Sequence, residues 1–421
     1  MDERNGGGRR ALVVGLGVSG ISAALRLRQI GWTPVVVERA AARRTGGYFV
    51  ALFGAGRAAA GRLGALEHMT DRGPDGASHD IDRDGGVRPG LGFKDFPGRP
   101  WLMTRGDVEA AAFAALPADV EVRYSTEPVR IEQDAEGVEV TLADTAAQTS
   151  ATERFDLVVG ADGLRSTVRR LVFGPHEDHL HRMGHMAVAF QLPGALPGCS
   201  PRDSVIMAES ARSMWVFPFK DGPPTVLLSY RTDDVEAEFT RPMAERVREA
   251  FGPEPPGPVL GAALDALESA PDVLFDSVEQ VRMDRWHRGR VVLVGDAAWC
   301  VTLYAGMGVS SGMAGADLLG TMLQRHGADV PEALARWERR LRPHIAYLQG
   351  NGTQMRAFFV PAGRFELGRR RLLLRLSLLP LTAPLFRMWR TKAKAARMKD
   401  MDFAHPDLAT AATARAARVP G

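Results

Sequence analysis

Cysteine is scarce in this sequence, with only Cys199 and Cys300 among 421 residues. Because two distant cysteines suit neither a metal site nor a disulfide framework, we expect no bound metal and a reducing, cytoplasmic location. Uncharged apolar runs of the roughly 18 residues that span a bilayer are missing, and the first ten residues lack the apolar stretch of a secretory signal. The composition, 45% apolar and 24% charged, is typical of a soluble globular protein.

The chain also carries little excess charge, with a formal net charge of +3. Residues 360–399, however, hold eight Arg and three Lys against one acid, a local charge of +10 that leaves −7 on the remainder. An acidic body argues against a nucleic-acid partner. We expect the basic C-terminal segment to form helices that pack on this body, with weak contact to a membrane surface as the alternative.

A glycine-rich turn follows the first predicted strand. The apolar pattern predicts a buried strand at Ala11–Gly15, a helix over residues 18–30 and a second strand at Thr33–Glu38. The turn between the first strand and the helix reads G-L-G-V-S-G. This succession is typical of the βαβ unit that binds dinucleotides.

Each glycine of this turn has its own task in such a unit. Gly15 permits the tight turn, Gly17 lets a diphosphate approach the backbone, and Gly20 lets the helix pack closely on the strand. The free N–H groups at the start of the helix then face the phosphates, while Glu38 is placed to accept hydrogen bonds from a ribose. Because Arg39 follows Glu38, FAD and NADP both remain open on this motif alone.

Two further motifs follow predicted strands later in the chain. Gly-Ala-Asp-Gly-Leu-Arg-Ser-Thr-Val-Arg occupies residues 160–169, and Gly-Asp-Ala-Ala occupies residues 295–298, with Ala-Gly-Met-Gly at 305–308. Asp296 at a strand end can hold a ribose or ribityl hydroxyl, and the N–H groups of residues 306–308 suit an electron-rich ring edge. Taken singly, each motif also fits a strand-to-helix turn with a capping aspartate.

Strand-like runs separated by Pro and Gly turns predict an antiparallel sheet between residues 183 and 232. Alternation along this sheet places Trp215, Phe217 and Phe219 on one face. We expect these rings either to line a substrate pocket or to form ordinary core.

The pattern predicts three more features of the chain. A small meander begins at Val120–Tyr124, a helix begins at Arg105, and a long helix over residues 331–357 is broken near Pro343.

Taken in order and spacing, the three motifs resemble those of class A FAD-dependent monooxygenases with the p-hydroxybenzoate hydroxylase fold. The resemblance runs over about residues 10–350 and is nearest to actinobacterial members that act on natural products. It implies an α/β fold: a Rossmann-type (GR2-like) FAD-binding domain split in sequence, an inserted antiparallel-sheet substrate domain and a C-terminal helical segment. The implied ranges are 1–70, 98–172 and 283–360 for FAD, 71–97 and 173–282 for substrate, and 361–421 for the basic helical segment.

The resemblance also implies roles for individual residues. Arg165, Ser166 and Arg169 are candidates for NAD(P)H handling or for structure. The substrate-pocket candidates are Tyr48, Trp215, Phe217, Phe219 and Leu303. The residues expected to bind FAD are Gly15, Gly17, Val18, Ser19, Gly20, Glu38, Arg39, Arg44, Gly47, Arg105, Asp162, Gly295, Asp296, Gly306, Met307, Gly308 and Val309.

The implied reaction uses NAD(P)H and O₂ to form a flavin C4a-hydroperoxide, which inserts one oxygen into an aromatic or polycyclic natural-product substrate by hydroxylation or epoxidation. Because the flavin carries this chemistry, we assign no catalytic side chain, and we expect a monomer or a homodimer. The alternatives are an FAD-dependent reductase of a prenyl or other apolar substrate and a non-oxygenating FAD-binding homologue. The sequence departs from the family at Trp299 (usually His), Thr302-Leu303 (usually Pro-Pro) and Ser310 (usually Asn).

Overall fold

The computed structural model describes residues 8–43, 46–92, 100–382, 388, 394–402 and 404–405. The strands are β1 (Arg10–Val14), β2 (Thr33–Val37), β3 (Phe49–Leu52), β4 (Ser78–Ile81), β5 (Val87–Pro89), β6 (Trp101–Thr104), β7 (Glu121–Arg123), β8 (Thr126–Gln133), β9 (Val138–Asp144), β10 (Thr149–Phe155), β11 (Leu157–Gly160), β12 (Leu180–Gln191), β13 (Ser204–Glu209), β14 (Arg212–Phe219), β15 (Gly222–Arg231), β16 (Val273–Val281), β17 (His287–Arg288) and β18 (Val291–Leu293). The helices are α1 (Val18–Gln29), α2 (Gly54–Arg62), α3 (Arg105–Ala114), α4 (Thr167–Val172), α5 (Val235–Glu238), α6 (Met243–Phe251), α7 (Gly257–Ser269), α8 (Asp296–Trp299), α9 (Gly308–His326), α10 (Val330–Phe359), α11 (Arg364–Leu378) and α12 (Lys394–Asp400).

One sheet collects the predicted buried strands, in the order β17-β18-β11-β1-β2-β7. Its neighbours run parallel except at the β17–β18 edge. The central strand β1 reads as a continuous apolar run because it is buried on both faces. The predicted βαβ opening is therefore confirmed, with α1 packed against α9.

The predicted meander is wrong at its start. Residues 121–123 form β7, which pairs in parallel with Val35–Val37 at the edge of the first sheet. The antiparallel meander is instead β8-β9-β10. Strand β10 was not predicted, because its residues are mostly exposed and polar and therefore show no apolar alternation.

A larger sheet has the order β16-β12-β15-β14-β13-β4-β5. The predicted antiparallel sheet is confirmed and extended by β16 on one edge and by β4 and β5 on the other. One face packs on α6 and α7 through residues such as Val188 and Leu264. The opposite face, with Ala187, Trp215 and Phe217, packs on side chains from β3, the turn before α9 and the end of α10. The division into domains at the predicted boundaries stays a prediction.

Helix α10 is continuous through Pro343, so the predicted break is wrong. Proline removes one backbone hydrogen bond and costs about 3 kcal/mol inside a helix. Leu341, Ile345 and Leu348 are all buried on the core side of this stretch. Because burying such side chains contributes about 1.5–3 kcal/mol each, packing outweighs the missing bond.

The described part of the C-terminal segment contacts the antiparallel sheet and helix α2. Arg370 of α11 is 4% exposed and donates to Asp80 of β4 at 2.9 Å. Beyond α12, Asp402 pairs with Arg62 of α2 at 2.7 Å. Within the described ranges, none of the helices combines the length and apolar character that crossing a bilayer requires.

Candidate functional site

A cavity of about 370 Å³ lies between the carboxyl edge of the parallel sheet and the antiparallel sheet. Loops that follow β1, β11 and β18 contribute to its wall, which is where open α/β sheets bind ligands. The predicted site residues that line it are Gly17, Val18, Ser19, Tyr48, Arg105, Phe217, Asp296, Leu303, Gly306, Gly308 and Val309.

The first glycine motif shapes one end of this cavity. Gly15 has φ +102°, and a Cβ there would lie 2.6 Å from the Ala161 carbonyl oxygen. A Cβ on Gly20 would lie 1.9 Å from the Gly15 carbonyl oxygen. These two glycines therefore pack behind the wall, while Gly17 faces the cavity and begins α1 without a side-chain cap. The first N–H groups of α1 are thus left for a ligand.

Glu38 supports this turn from the end of β2. Its Oε2 accepts from the Leu16 N–H at 2.9 Å, and its Oε1 accepts from the Ala40 N–H at 2.9 Å. Each carboxylate oxygen keeps a second lone pair that a ribose hydroxyl can use. Arg39 is exposed beside it.

Charged and phenolic groups meet at the middle of the cavity. Arg105 begins α3 and its Nε donates to Glu109 Oε1 at 2.9 Å. Burial raises the pKa of Tyr48, and the neighbouring Arg105 opposes that rise. Removal from bulk water likewise raises the pKa of Asp296, whose carboxylate is exposed to the cavity. Burial raises the pKa of the adjacent Cys300 thiol well above its usual value, which argues against a reactive thiolate there.

The remaining predicted cofactor residues stand in supporting positions. Gly47 packs against Arg105, and Gly295 packs against Ser19. Met307 is fully buried immediately before α9. Arg44 lies outside the described residues.

Two of the departures from the family pattern belong to the core. Trp299 is 1% exposed, and its Nε1 donates to Ser311 Oγ at 3.2 Å. Ser310 is fully buried and accepts from the Phe53 N–H at 2.9 Å. A Cβ on Gly56 would lie 2.9 Å from Ser310 Oγ, so α2 and α9 are in close contact at this point.

The third departure, Thr302, changes the backbone. Thr302 has φ +73° and ψ 158°, a region that glycine alone adopts without strain. Its Oγ1 accepts from the Tyr304 N–H at 3.2 Å and so holds the turn that leads to α9. The turn therefore differs from one built around a proline, whose φ is fixed near −65°.

We expect Thr302→Pro to lose more than about 1 kcal/mol of unfolding free energy, because proline cannot adopt a positive φ and the turn must rebuild. Thr302→Gly should stay within about 1 kcal/mol of the original, since relief of strain offsets the lost hydroxyl acceptor. Urea unfolding of the two variants measures this difference. A Thr302→Pro protein as stable as the Thr302→Gly protein would contradict the positive φ.

The antiparallel sheet supplies an aromatic wall. Phe217 stacks on Phe49 with ring centroids 4.3 Å apart, and Phe217, Tyr48 and Leu303 all line the cavity. Trp215 and Phe219 share the face of Phe217 but are buried outside the cavity wall, which favours the ordinary-core alternative for these two rings.

Neighbouring side chains cover both of these rings. Phe359 at the end of α10 stacks on Trp215 at 4.4 Å, and Arg72 lies 4.8 Å from the centre of the Phe219 ring. Alternation predicted the shared face, but it could not predict what covers each ring.

Most polar side chains of the second motif form hydrogen bonds within the protein. Asp162 accepts from Ser166 Oγ at 2.6 Å and from the Val168 N–H at 3.0 Å, which caps the start of α4. Arg169 is fully buried and donates to the carbonyls of Ala297 at 2.9 Å and Leu164 at 2.7 Å. These contacts favour a structural role for Asp162, Ser166 and Arg169.

Arg165 reaches towards the cavity instead. It pairs with Asp276 at 3.0 Å and Glu279 at 2.9 Å on β16, and both acids line the cavity. Its side chain remains 38% exposed. Of the three NAD(P)H candidates Arg165, Ser166 and Arg169, it is therefore the one whose side chain an incoming dinucleotide can still reach.

Sequence reasoning missed several residues at the cavity. Tyr304 is 2% exposed and shares a hydrogen bond with Ser229 Oγ at 2.9 Å. Phe359 and Lys399 come from α10 and α12, which lie far along the chain from the motifs. Tyr304 stands four residues before the start of α9 and could have been inferred from the last glycine turn, whereas no sequence signal marked Lys399.

The wall described above fits a flavin dinucleotide. It offers bare backbone at Gly17, uncapped N–H groups at the start of α1, the cavity-facing carboxylate of Asp296, and the start of α9 at Gly308. These are the donors and acceptors that diphosphate, polyol and electron-rich ring groups require.

Comparison with known proteins agrees with this chemistry. A protein-family model described as an FAD binding domain matches residues 108–347. A Mycobacterium tuberculosis protein of uncharacterized function is 33% identical over 355 residues, 78% of this chain and 88% of that protein. A flavin-dependent monooxygenase from an unidentified prokaryote is 27% identical over 365 residues, 83% of this chain and 90% of that protein.

A solved structure shares the fold. It is a variant of Klebsiella pneumoniae HpxO in complex with FAD, with a TM-score of 0.70 at 20% identity. The match covers 87% of this chain and 94% of that one. The two chains therefore share their overall fold.

Proposed function

Because the chain belongs to the family of FAD-dependent monooxygenases, we propose that its cavity binds FAD together with an aromatic or polycyclic substrate and uses NAD(P)H and O₂ as co-substrates. The observation that carries this proposal is the two-sided wall of the cavity. One side offers backbone N–H groups and Asp296, and the other offers Phe49, Phe217 and Leu303. A polar cofactor and an apolar substrate can therefore meet inside it.

The residues of the first side hold and orient the cofactor. The start of α1 at Gly17 binds the diphosphate, and Glu38 accepts from the ribose. Asp296 accepts from polyol hydroxyls, and the start of α9 at Gly308 faces the ring. When bound, FAD supplies the chemistry of hydride acceptance and oxygen transfer, which no side chain of the protein can carry out.

The residues of the second side exclude water and position the substrate. Phe49, Phe217 and Leu303 present apolar surface, and such a surface keeps bulk water away from the place where cofactor and substrate meet. Tyr304 and Ser229 form a buried hydroxyl pair beneath them. Because apolar side chains form most of the cavity wall, the cavity favours a substrate with a large apolar surface and one or two hydroxyl or keto groups.

We expect the purified protein to bind FAD and to couple NAD(P)H oxidation to O₂ consumption and to a product 16 mass units heavier than the substrate. Polycyclic phenols, quinones and indoles form a first substrate panel. Absorbance of the bound flavin, oxygen uptake and product mass are the three measurements. Reduction of substrate without oxygen uptake would identify a reductase instead, and a colourless protein that binds no FAD would refute the proposal.

A further inference from the structure

Lys399 brings a positive charge from the C-terminal segment into the cavity. It lies on α12, lines the cavity and is 9% exposed. Its Nζ lies 5.0 Å from the centre of the Phe53 ring. The acids beside it in the described segment already have arginine partners, Asp400 with Arg57 at 3.5 Å and Asp402 with Arg62 at 2.7 Å.

This lysine is costly to the protein on its own. Burial lowers the pKa of Lys399 to about 8, whereas a neighbouring carboxylate would raise the pKa. Among the described residues its ammonium pairs with no carboxylate, and a buried ammonium without such a partner destabilises the fold. The site therefore suits a ligand that carries negative charge, because such a ligand would offset this cost.

The position of Lys399 indicates which part of a ligand it meets. Gly306, in the last glycine turn, lies beside the same Phe53 ring as the Lys399 Nζ. A Cβ added to Gly306 would lie 3.8 Å from that ring. Helix α9 begins two residues later at Gly308, so its positive end faces the same corner. The start of α1, where a diphosphate is expected, belongs to the other glycine motif.

The backbone around Lys399 is held firmly. A Cβ on Gly54 at the start of α2 would lie 2.1 Å from the Asp400 carbonyl oxygen, so α12 and α2 are in close contact. The ion pair between Asp402 and Arg62 fixes the chain just beyond the helix. The backbone contacts on both sides of Lys399 therefore fix the position of its ammonium at the cavity.

We propose that Lys399 stabilises the negative charge that the flavin ring gains on reduction, so that the C-terminal segment sets the reduction potential of the bound cofactor. This inference rests on the proposed binding of FAD. The diphosphate of FAD offers the same anionic chemistry, but its charge is present in both oxidation states. A contact of Lys399 with the ring would therefore change the reduction potential, whereas a contact with the diphosphate would not.

The test compares Lys399→Met with Lys394→Met, a matched change at an exposed lysine of the same helix. For Lys399→Met we expect the affinity for reduced FAD to fall about tenfold more than the affinity for oxidised FAD. That ratio lowers the two-electron midpoint potential by about 30 mV. Lys399→Arg should keep most of the original potential, and Lys394→Met should keep all of it. The potential is measured by equilibration with a reference dye.

Other outcomes overturn the proposal in distinguishable ways. Equal weakening of both oxidation states, with an unchanged potential, would assign Lys399 to the diphosphate. A lower melting temperature of the Lys399→Met apoprotein would show a structural role, since we expect the apoprotein to become more stable when the buried charge is removed. A wild-type protein that binds FAD while Lys399→Met leaves both affinities unchanged refutes this inference alone. Failure of the wild-type protein to bind FAD refutes the proposed function and this inference with it.

Discussion

Gly20→Ala is expected to yield little folded protein that contains flavin. The new Cβ would lie 1.9 Å from the Gly15 carbonyl oxygen and 3.5 Å from the Ala161 Cβ. Gly15 has little room to move away, because the position of a Cβ on Gly15 is only 2.6 Å from the Ala161 carbonyl oxygen. Overpacking usually costs 1–3 kcal/mol. Because the clash is with backbone, we expect it to cost about 3 kcal/mol or more, which urea unfolding and the flavin absorbance of the purified protein would measure.

Gly17→Ala is the informative counterpart. A Cβ there would come no closer than 3.6 Å to the described atoms around it, the nearest being Arg105 Nη2 and Glu109 Oε1. This variant should fold with nearly unchanged stability and yet bind FAD at least tenfold more weakly, because its Cβ points into the space of the ligand. Gly61→Ala, an exposed change within α2, controls for the substitution itself and should be neutral or stabilising. A Gly17→Ala protein with full FAD affinity would place the diphosphate elsewhere.

The cofactor side of the cavity could be predicted because its geometry is local. A strand, three glycines at fixed spacing and a helix place Gly17 at an uncapped helix start whatever the rest of the chain does. The same reasoning located Asp296 at the end of β18 and the turn before α9. Each of these residues lies within a few positions of a buried strand, so the apolar pattern and the motif reinforce each other.

The substrate side could not be predicted to the same depth because it is assembled from distant elements. Phe49, Phe217 and Phe359 come from β3, β14 and α10, and only tertiary packing decides which ring faces the cavity. Alternation found the face that Trp215 and Phe217 share but not the helix end that covers Trp215. Local rules failed for Pro343 for the same reason, since burial of the surrounding helix overrode the preference of one residue.

Arg169→Met is expected to lower the unfolding free energy by about 3 kcal/mol and to leave the KM for NAD(P)H unchanged. Arg169 is fully buried, and its guanidinium joins the Leu164 carbonyl to the Ala297 carbonyl of α8. Removing it leaves two buried acceptors without this donor, at about 1–3 kcal/mol each. Methionine recovers part of the loss because it fills the space with apolar atoms and because burying the arginine was itself costly: burial lowers the pKa of Arg169.

Arg170→Met is the matched control, since Arg170 is the exposed neighbour on the same helix and its loss should stay within about 0.5 kcal/mol. Because Arg169 fastens the loop after β11 to the first turn of α8, its loss should also loosen Asp296, which begins that helix. We therefore expect FAD affinity to fall together with stability in Arg169→Met. A rise in KM for NAD(P)H at unchanged stability would instead make Arg169 a nicotinamide-binding residue. The second motif would then affect the cofactor indirectly, because Arg169 holds the backbone of the third motif at Ala297. This contact explains why the second motif contains an arginine that does not line the cavity.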